Sequence, residues 1–153
     1  MKQINKYILE RLHINKDIDS HIEYNYHPKT RDELEKLIYK LIKERGNEAD
    51  LNVIDTSEIT DMNYMFGLSN FNGDISKWDV SKVEDMNFMF AHSKFDGDLS
   101  NWDVSKVEDM HCMFRGSNFN GDISNWDVSN VKYMRNMFDE SPLEKNQPKW
   151  YKE

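Results

Sequence analysis

Hydrophobic positions along this chain recur with a period of 24 residues: Trp78, Trp102 and Trp126; Val83, Val107 and Val131; Phe90, Phe114 and Phe138. The unit is the stretch Phe71 to Phe90. It returns almost unchanged from Phe95 to Phe114 and, with drift, from Phe119 to Phe138. An internal repeat of this length is the mark of a solenoid, whose units cannot bury their apolar faces alone. Extending the register backwards aligns Asp50, Leu51, Ile54, Asp55, Ser57 and Ile59 with Asp74, Ile75, Trp78, Asp79, Ser81 and Val83, and Met62, Met65 and Phe66 complete a degenerate first repeat. Extending it forwards aligns Leu143 with Phe119 and Trp150 with Trp126, a truncated fifth strand that closes the C-terminal end. Pro142 and Pro148 in that segment discourage further strands from adding to the edge. The pattern therefore divides the chain into an N-terminal capping segment (1–46), four 24-residue repeats (47–140) and a closing segment (141–153).

Within one unit, Phe71-Asn72-Gly73-Asp74 has turn chemistry in which Asn-Gly and Gly-Asp supply positive φ. Ile75 to Val80 carries β-formers and predicts a strand. Ser81 with Glu84 is a capping box, so Ser81 to Phe90 predicts a short helix with Val83, Met86, Met89 and Phe90 facing inward. Ahead of the repeats, Ile4, Tyr7, Ile8 and Leu12 predict a helix over 3–13, and the alternation from Ile18 to Tyr26 predicts a strand. Thr30 and Glu33 form a second capping box. Leu34, Leu37, Ile38, Leu41 and Ile42 make one apolar stripe, Lys43 and Arg45 suit the last turn, and Gly46 supplies the C-cap. The predicted fold class is an α/β repeat solenoid: right-handed coils with one parallel β-sheet, short helices opposite and an amphipathic helical N-terminal cap.

Composition narrows the function. The chain has 153 residues, 31% of them charged, and no apolar run approaches a membrane span. Its net charge of −8 is uneven: residues 1–46 hold ten basic against eight acidic side chains, and the remainder ten against twenty. An acidic array repels phosphate backbones and is steered toward basic surfaces, so the expected partner is a protein with a basic surface, without direct nucleic-acid or membrane binding. A single cysteine, Cys112, and a charged N-terminus without a small-residue cleavage site predict a cytoplasmic setting.

The pattern Phe-Asn-Gly-Asp-Ile-Ser-x-Trp-Asp-Val-Ser-x-Val-x-x-Met-x-x-Met-Phe resembles the BspA-type leucine-rich-repeat family, in its Mycoplasma-type subclass. The resemblance covers about residues 50–140; Phe71–Phe90 and Phe95–Phe114 fit nearly every position, while Tyr133 stands where Asp85 would. It implies a leucine-rich-repeat-like solenoid and, for most members, a surface role in binding host or bacterial partners. Short unanchored versions resemble those carried by phages and mobile elements.

Candidate chemistry is sparse. Asp55, Asp79, Asp103 and Asp127 form one column and Asp50, Asp74, Asp98 and Asp122 another. At a spacing of about 4.8 Å, neighbouring carboxylates repel by roughly 3–4 kcal/mol at an effective dielectric of 20. Calcium is one way to offset this; hydrogen bonding in Asx-turns and near helix N-termini is the other, and is preferred because the Gly-Gly-x-Gly-x-Asp calcium pattern is missing. The methionines read as core, the histidines show no metal-ligand spacing, and Cys112 beside His111 occupies a lateral column. No catalytic residue, metal site or cofactor is expected.

The positions that vary while the scaffold repeats are the expected partner-binding residues: Tyr64, Lys77, Phe88, His92, Asn101, His111, Arg115, Asn125 and Arg135. These readings converge on a non-enzymatic protein-interaction module: a phage or mobile-element inhibitor of a host-defence protein, anti-CRISPR-like, that occupies a basic surface. The alternative is a bacterial surface or adhesion-type repeat protein.

Overall fold

A computed structural model describes residues 24–152. The helix predicted over 3–13 and the strand predicted from Ile18 as far as Glu23 lie outside the described residues.

The predicted α/β architecture with a parallel sheet is overturned. Among the described residues there is one α-helix, α1 (Arg31–Arg45), one short 3-10 helix (Pro142–Lys145), and no strand or sheet. Parallel pairing survives only as isolated bridges, Tyr26 with Ile54, Asp50 with Asp74, and the series Asp61, Asp85, Asp109, Tyr133.

The reasons are local. The predicted strand at Ile75–Val80 is bent twice. Asp74 Oδ1 accepts the Ser76 N–H at 2.9 Å, the Trp78 N–H turns back to the Ile75 carbonyl at 3.1 Å, and Asp79 Oδ1 accepts the Ser81 N–H at 3.0 Å. Asp side chains that bind a backbone N–H two residues ahead compete with extended pairing. The predicted helix at Ser81–Phe90 fails because its N–H groups alternate between two targets. Met89, Ala91 and Ser93 donate to the carbonyl three residues back, while Met86, Phe88, Phe90 and His92 donate to Asp109, His111, Met113 and Arg115 one repeat ahead. Phe88 (φ 52°) and His92 (φ 53°) take the left-handed conformation, as do Tyr64, Leu68, Cys112, Asn136 and Glu140 at equivalent places.

Positive φ is not found where the sequence placed it, at Gly73. That glycine supplies space instead: a Cβ would collide with the backbone of Ala49 and lie 2.7 Å from a ring atom of Phe71.

The repeats stack through three aromatic columns. Phe66, Phe90, Phe114 and Phe138 lie nearly parallel at 5.6, 5.6 and 6.0 Å, and Phe71, Phe95 and Phe119 follow at 6.2 and 6.4 Å. Each tryptophan indole N–H reaches back one repeat: Trp78 to the Leu51 carbonyl, Trp102 to Ile75, Trp126 to Leu99 and Trp150 to Ile123, at 3.0, 3.2, 3.0 and 2.9 Å. A buried indole without such an acceptor would be costly, so these bonds fix the register of the stack.

Both ends are treated by the flanking segments. Helix α1 begins where Thr30 Oγ1 accepts the Glu33 N–H, and it lays buried Leu34, Ile38 and Leu41 against the first repeat. Its Arg31 guanidinium donates to the Asn63 carbonyl at 2.9 and 3.1 Å, and this oxygen is the equivalent of the Asn87 carbonyl that takes the Tyr64 N–H one repeat later. At the other end no closing strand forms; Leu143, in the 3-10 helix, is buried in the core, and Trp150 stacks on Trp126 with ring centroids 6.4 Å apart.

Candidate functional site

The ladder of inter-repeat hydrogen bonds makes one side of the molecule. The N–H groups of Met62, Tyr64, Phe66 and Leu68 reach the carbonyls of Asp85, Asn87, Met89 and Ala91 at 2.8–3.0 Å, and the pattern repeats upward. At the left-handed positions Tyr64, Leu68, His92 and Glu140 are exposed and Phe88 and Asn136 half-buried, whereas Cys112 is buried. Of the four large hydrophobic residues exposed among the described residues, Tyr64 (49% exposed), Leu68 (77%) and Tyr133 (62%) lie here, and only Tyr39 lies on α1. Monomeric surfaces seldom collect apolar groups on one strip without a use for them.

The aromatic groups touch. Tyr64 stacks on Phe88 with ring centroids 4.7 Å apart and 11° between planes, and Phe88 meets the edge of His111 at 5.3 Å. Beyond them a groove of about 800 Å³ opens between Phe88, His111, Tyr133, Met134, Arg135 and Lys152, with Asn87, Asp109 and Lys132 at its border. Lys132 is held by Glu108 at 2.7 Å.

Of the residues singled out from the sequence, Tyr64, Phe88, His111 and Arg135 are therefore joined by these contacts or by the groove. His92 and Arg115 occupy the same ladder farther along: the His92 N–H donates to the Arg115 carbonyl at 2.7 Å, and the Arg115 guanidinium pairs with Glu140 at 3.1 Å. Lys77, Asn101 and Asn125 stand apart. They are exposed in the turns between Asp74 and Trp78 and their equivalents, and none lines the groove.

Three features were not legible. Tyr133 read only as a departure from the Asp column, yet it is the most exposed aromatic of the ladder. Nothing in the sequence places Lys152 beside it, yet both line the groove. The stacked column Asp61, Asp85, Asp109 has no signal in the sequence beyond the 24-residue register itself. Burial pushes the Asp85 carboxyl above the usual carboxylate range, and the charges of Asp109 and Asp61 push the same way, against the Asn87 N–H that it accepts.

The other aspartate columns behave as turn acceptors. Hydrogen bonding from Ser100, Ser105, Ser124 and Ser129 holds Asp98, Asp103, Asp122 and Asp127 below the usual range. Among the described residues no group of three His, Cys, Asp or Glu side chains is arranged to hold a metal ion. Cys112 is buried, 3.5 Å from His111 Nε2, and burial pushes its thiol up. A buried thiol of that kind is a poor nucleophile.

The family described as "Mycoplasma protein of unknown function, DUF285" matches residues 33–150, and the chain belongs to it. No curated protein and no solved structure matches the chain. No helix among the described residues is long and apolar enough to cross a membrane.

Proposed function

We propose that this member of the Mycoplasma-protein family is a non-enzymatic protein-binding module, and that the ladder side is its binding face. One observation carries the reading: a rigid, hydrogen-bonded backbone presents Tyr64, Phe88 and His111 in mutual contact beside the exposed Tyr133 and Arg135. Aromatic and arginine side chains on a fixed frame are the usual anchors of protein interfaces, because little conformational entropy is lost when they are covered. The buried, unactivated thiol of Cys112 supports the non-enzymatic part of the reading.

The finer reading is a mobile-element inhibitor of a host-defence protein, inside a cell, that engages a basic surface. The leucine-rich-repeat resemblance and the exposed rows at Asp74, Asp98 and Asp122 support it, since those side chains face solvent as carboxylates.

Affinity capture from a lysate of the native cell tests the proposal, with three baits compared by mass spectrometry: the parent chain, Tyr64→Ser with Phe88→Ser, and Tyr39→Ser. A protein recovered stoichiometrically by the parent and by Tyr39→Ser, and lost with the double variant at an unchanged melting temperature, is the expected result. Equal recovery by all three baits, or no stoichiometric protein at all, overturns it.

A further inference from the structure

The two ends of the ladder are finished differently. Within the stack, Met110, Cys112, Phe114 and Gly116 donate their N–H groups to the carbonyls of Tyr133, Arg135, Met137 and Asp139 at 2.7, 3.1, 3.0 and 2.8 Å. The same positions in the last repeat are Met134, Asn136, Phe138 and Glu140. The Glu140 N–H is taken by the Glu144 carboxylate at 3.1 Å. The N–H groups of Met134, Asn136 and Phe138 have no acceptor among the described residues. The closing segment buries Leu143, binds the Ile123 carbonyl through Trp150 and covers Phe138 with the rings of Trp150 and Tyr151, so that Phe138 is buried while Met134 and Asn136 stay partly exposed. At the opposite end, Arg31 already occupies the Asn63 carbonyl.

We infer that the open end of the ladder is a docking edge for an extended, acidic peptide segment of a partner protein. This rests on the protein-binding reading above and names the chemistry of what binds at one end of that face. An extended chain laid along 133–137 would place alternate carbonyls over the accessible N–H groups of Met134 and Asn136, as each repeat does for the one before it.

Charge decides the occupant. The chain carries −8 overall, yet Arg135 and Lys152 gather in the groove beside this edge with no ion pair among the described residues, and Asp109 is the one carboxylate lining it. Tyr133, Met134 and Phe88 supply the apolar floor. A segment alternating acidic with apolar side chains matches both. A second copy of this chain matches neither end: its own open edge is equally cationic, and its N-terminal end is covered by α1 and Arg31.

The test uses the full chain and a fluorescein-labelled peptide, acetyl-Ser-Glu-Val-Glu-Val-Glu-Ser-amide, with the same peptide carrying Lys for Glu as control. Anisotropy should show binding of the Glu peptide that weakens with salt, and little binding of the Lys peptide. In the 15N-labelled protein the amides of Met134 and Asn136 should shift. Arg135→Glu with Lys152→Glu should weaken binding about tenfold or more at an unchanged melting temperature. Met134→Pro, which deletes one free donor and no internal bond, should weaken it as well; the charge variant keeps the test decisive if the proline variant does not fold. Equal binding of both peptides, absence of shifts at the Met134 and Asn136 amides, or indifference to the charge reversal overturns the inference. So does a concentration-dependent dimer in light scattering that Arg135→Glu with Lys152→Glu alters, since it assigns the edge to a second copy. Failure here with a captured protein that still depends on Tyr64 and Phe88 removes this inference alone. Capture indifferent to those residues removes the protein-binding reading instead.

Discussion

At the scale of single residues, the chain spends stability on its ladder side. Tyr64, Leu68, Phe88 and His92 hold positive φ without being glycine, a conformation that costs roughly 1–2 kcal/mol each. Their side chains gain little burial in return, Leu68 least of all. Asp85 is a second cost. Its carboxyl is pushed up by burial and by Asp109 and Asp61, so ionising it costs more in the folded chain than in the unfolded one. A carboxyl whose folded pKa lies above its unfolded value disfavours folding as it ionises: no penalty exists below the unfolded range, and it is complete once pH exceeds the folded value. Asp85→Asn keeps an oxygen to accept the Asn87 N–H and removes the charge. It should therefore raise the melting temperature at pH 7, by about 2–4 °C if solvent screening leaves about 1 kcal/mol to relieve. The gain should shrink toward zero as pH falls to about 4, which calorimetry across that range would show. A gain constant with pH would mean that packing, not charge, is responsible.

At the scale of elements, helix α1 and the repeat register were readable, and the conformation of the repeat was not. Thr30, Glu33 and the apolar stripe of α1 are local signals, and the helix they predict spans Arg31–Arg45. Inside the repeat, the same Ser-x-x-Glu spacing meant something else. The Ser81 N–H is bound by Asp79, and the Glu84 N–H goes to the Thr60 carbonyl of the previous repeat. Local pattern cannot separate a helix cap from an Asx-turn when the deciding acceptor lies 24 residues away. Likewise, the variable columns pointed to Tyr64, Phe88, His111 and Arg135, but the joining of Tyr133 and Lys152 to them depends on backbone turns that no local spacing encodes. The end of the ladder at α1 offers a direct test. Arg31 is half-buried, and its two bonds to the Asn63 carbonyl replace a missing preceding repeat. Hydrogen bonds from a charged donor are worth about 1.5–3 kcal/mol, so Arg31→Ala should destabilise the chain by about 2 kcal/mol in urea titration, and Arg31→Lys should recover only part of this. No loss beyond about 0.5 kcal/mol would show that water serves the Asn63 carbonyl equally well.

At the scale of the whole molecule, every long-range hydrogen bond between repeats joins a residue to one 23–27 positions away. Each repeat thus depends on its two neighbours and on nothing farther. Stability in such an array is close to a sum of unit and interface contributions, and the effect of a lesion depends on its place in the stack. The tryptophan column allows the comparison with chemistry held constant. Trp102→Phe removes the indole donor from the Ile75 carbonyl in the middle of the stack, and Trp150→Phe removes it from the Ile123 carbonyl at the end. An orphaned buried carbonyl costs about 1–3 kcal/mol. In the middle, that loss weakens the interface on which both halves rely, so amide exchange should accelerate across all four repeats. At the end, where Trp150 is only partly buried, the loss can be absorbed by opening the last repeat alone. Hydrogen-exchange mass spectrometry should then show faster exchange confined to about residues 123–152 for Trp150→Phe, and throughout for Trp102→Phe. The same local opening would release the groove around Tyr133 and Arg135, so Trp150→Phe should also loosen any ligand held there, whereas Tyr39→Ser should leave it unchanged. Uniform acceleration in both variants would mean that the array unfolds as one cooperative block and that its open end is no more labile than its centre.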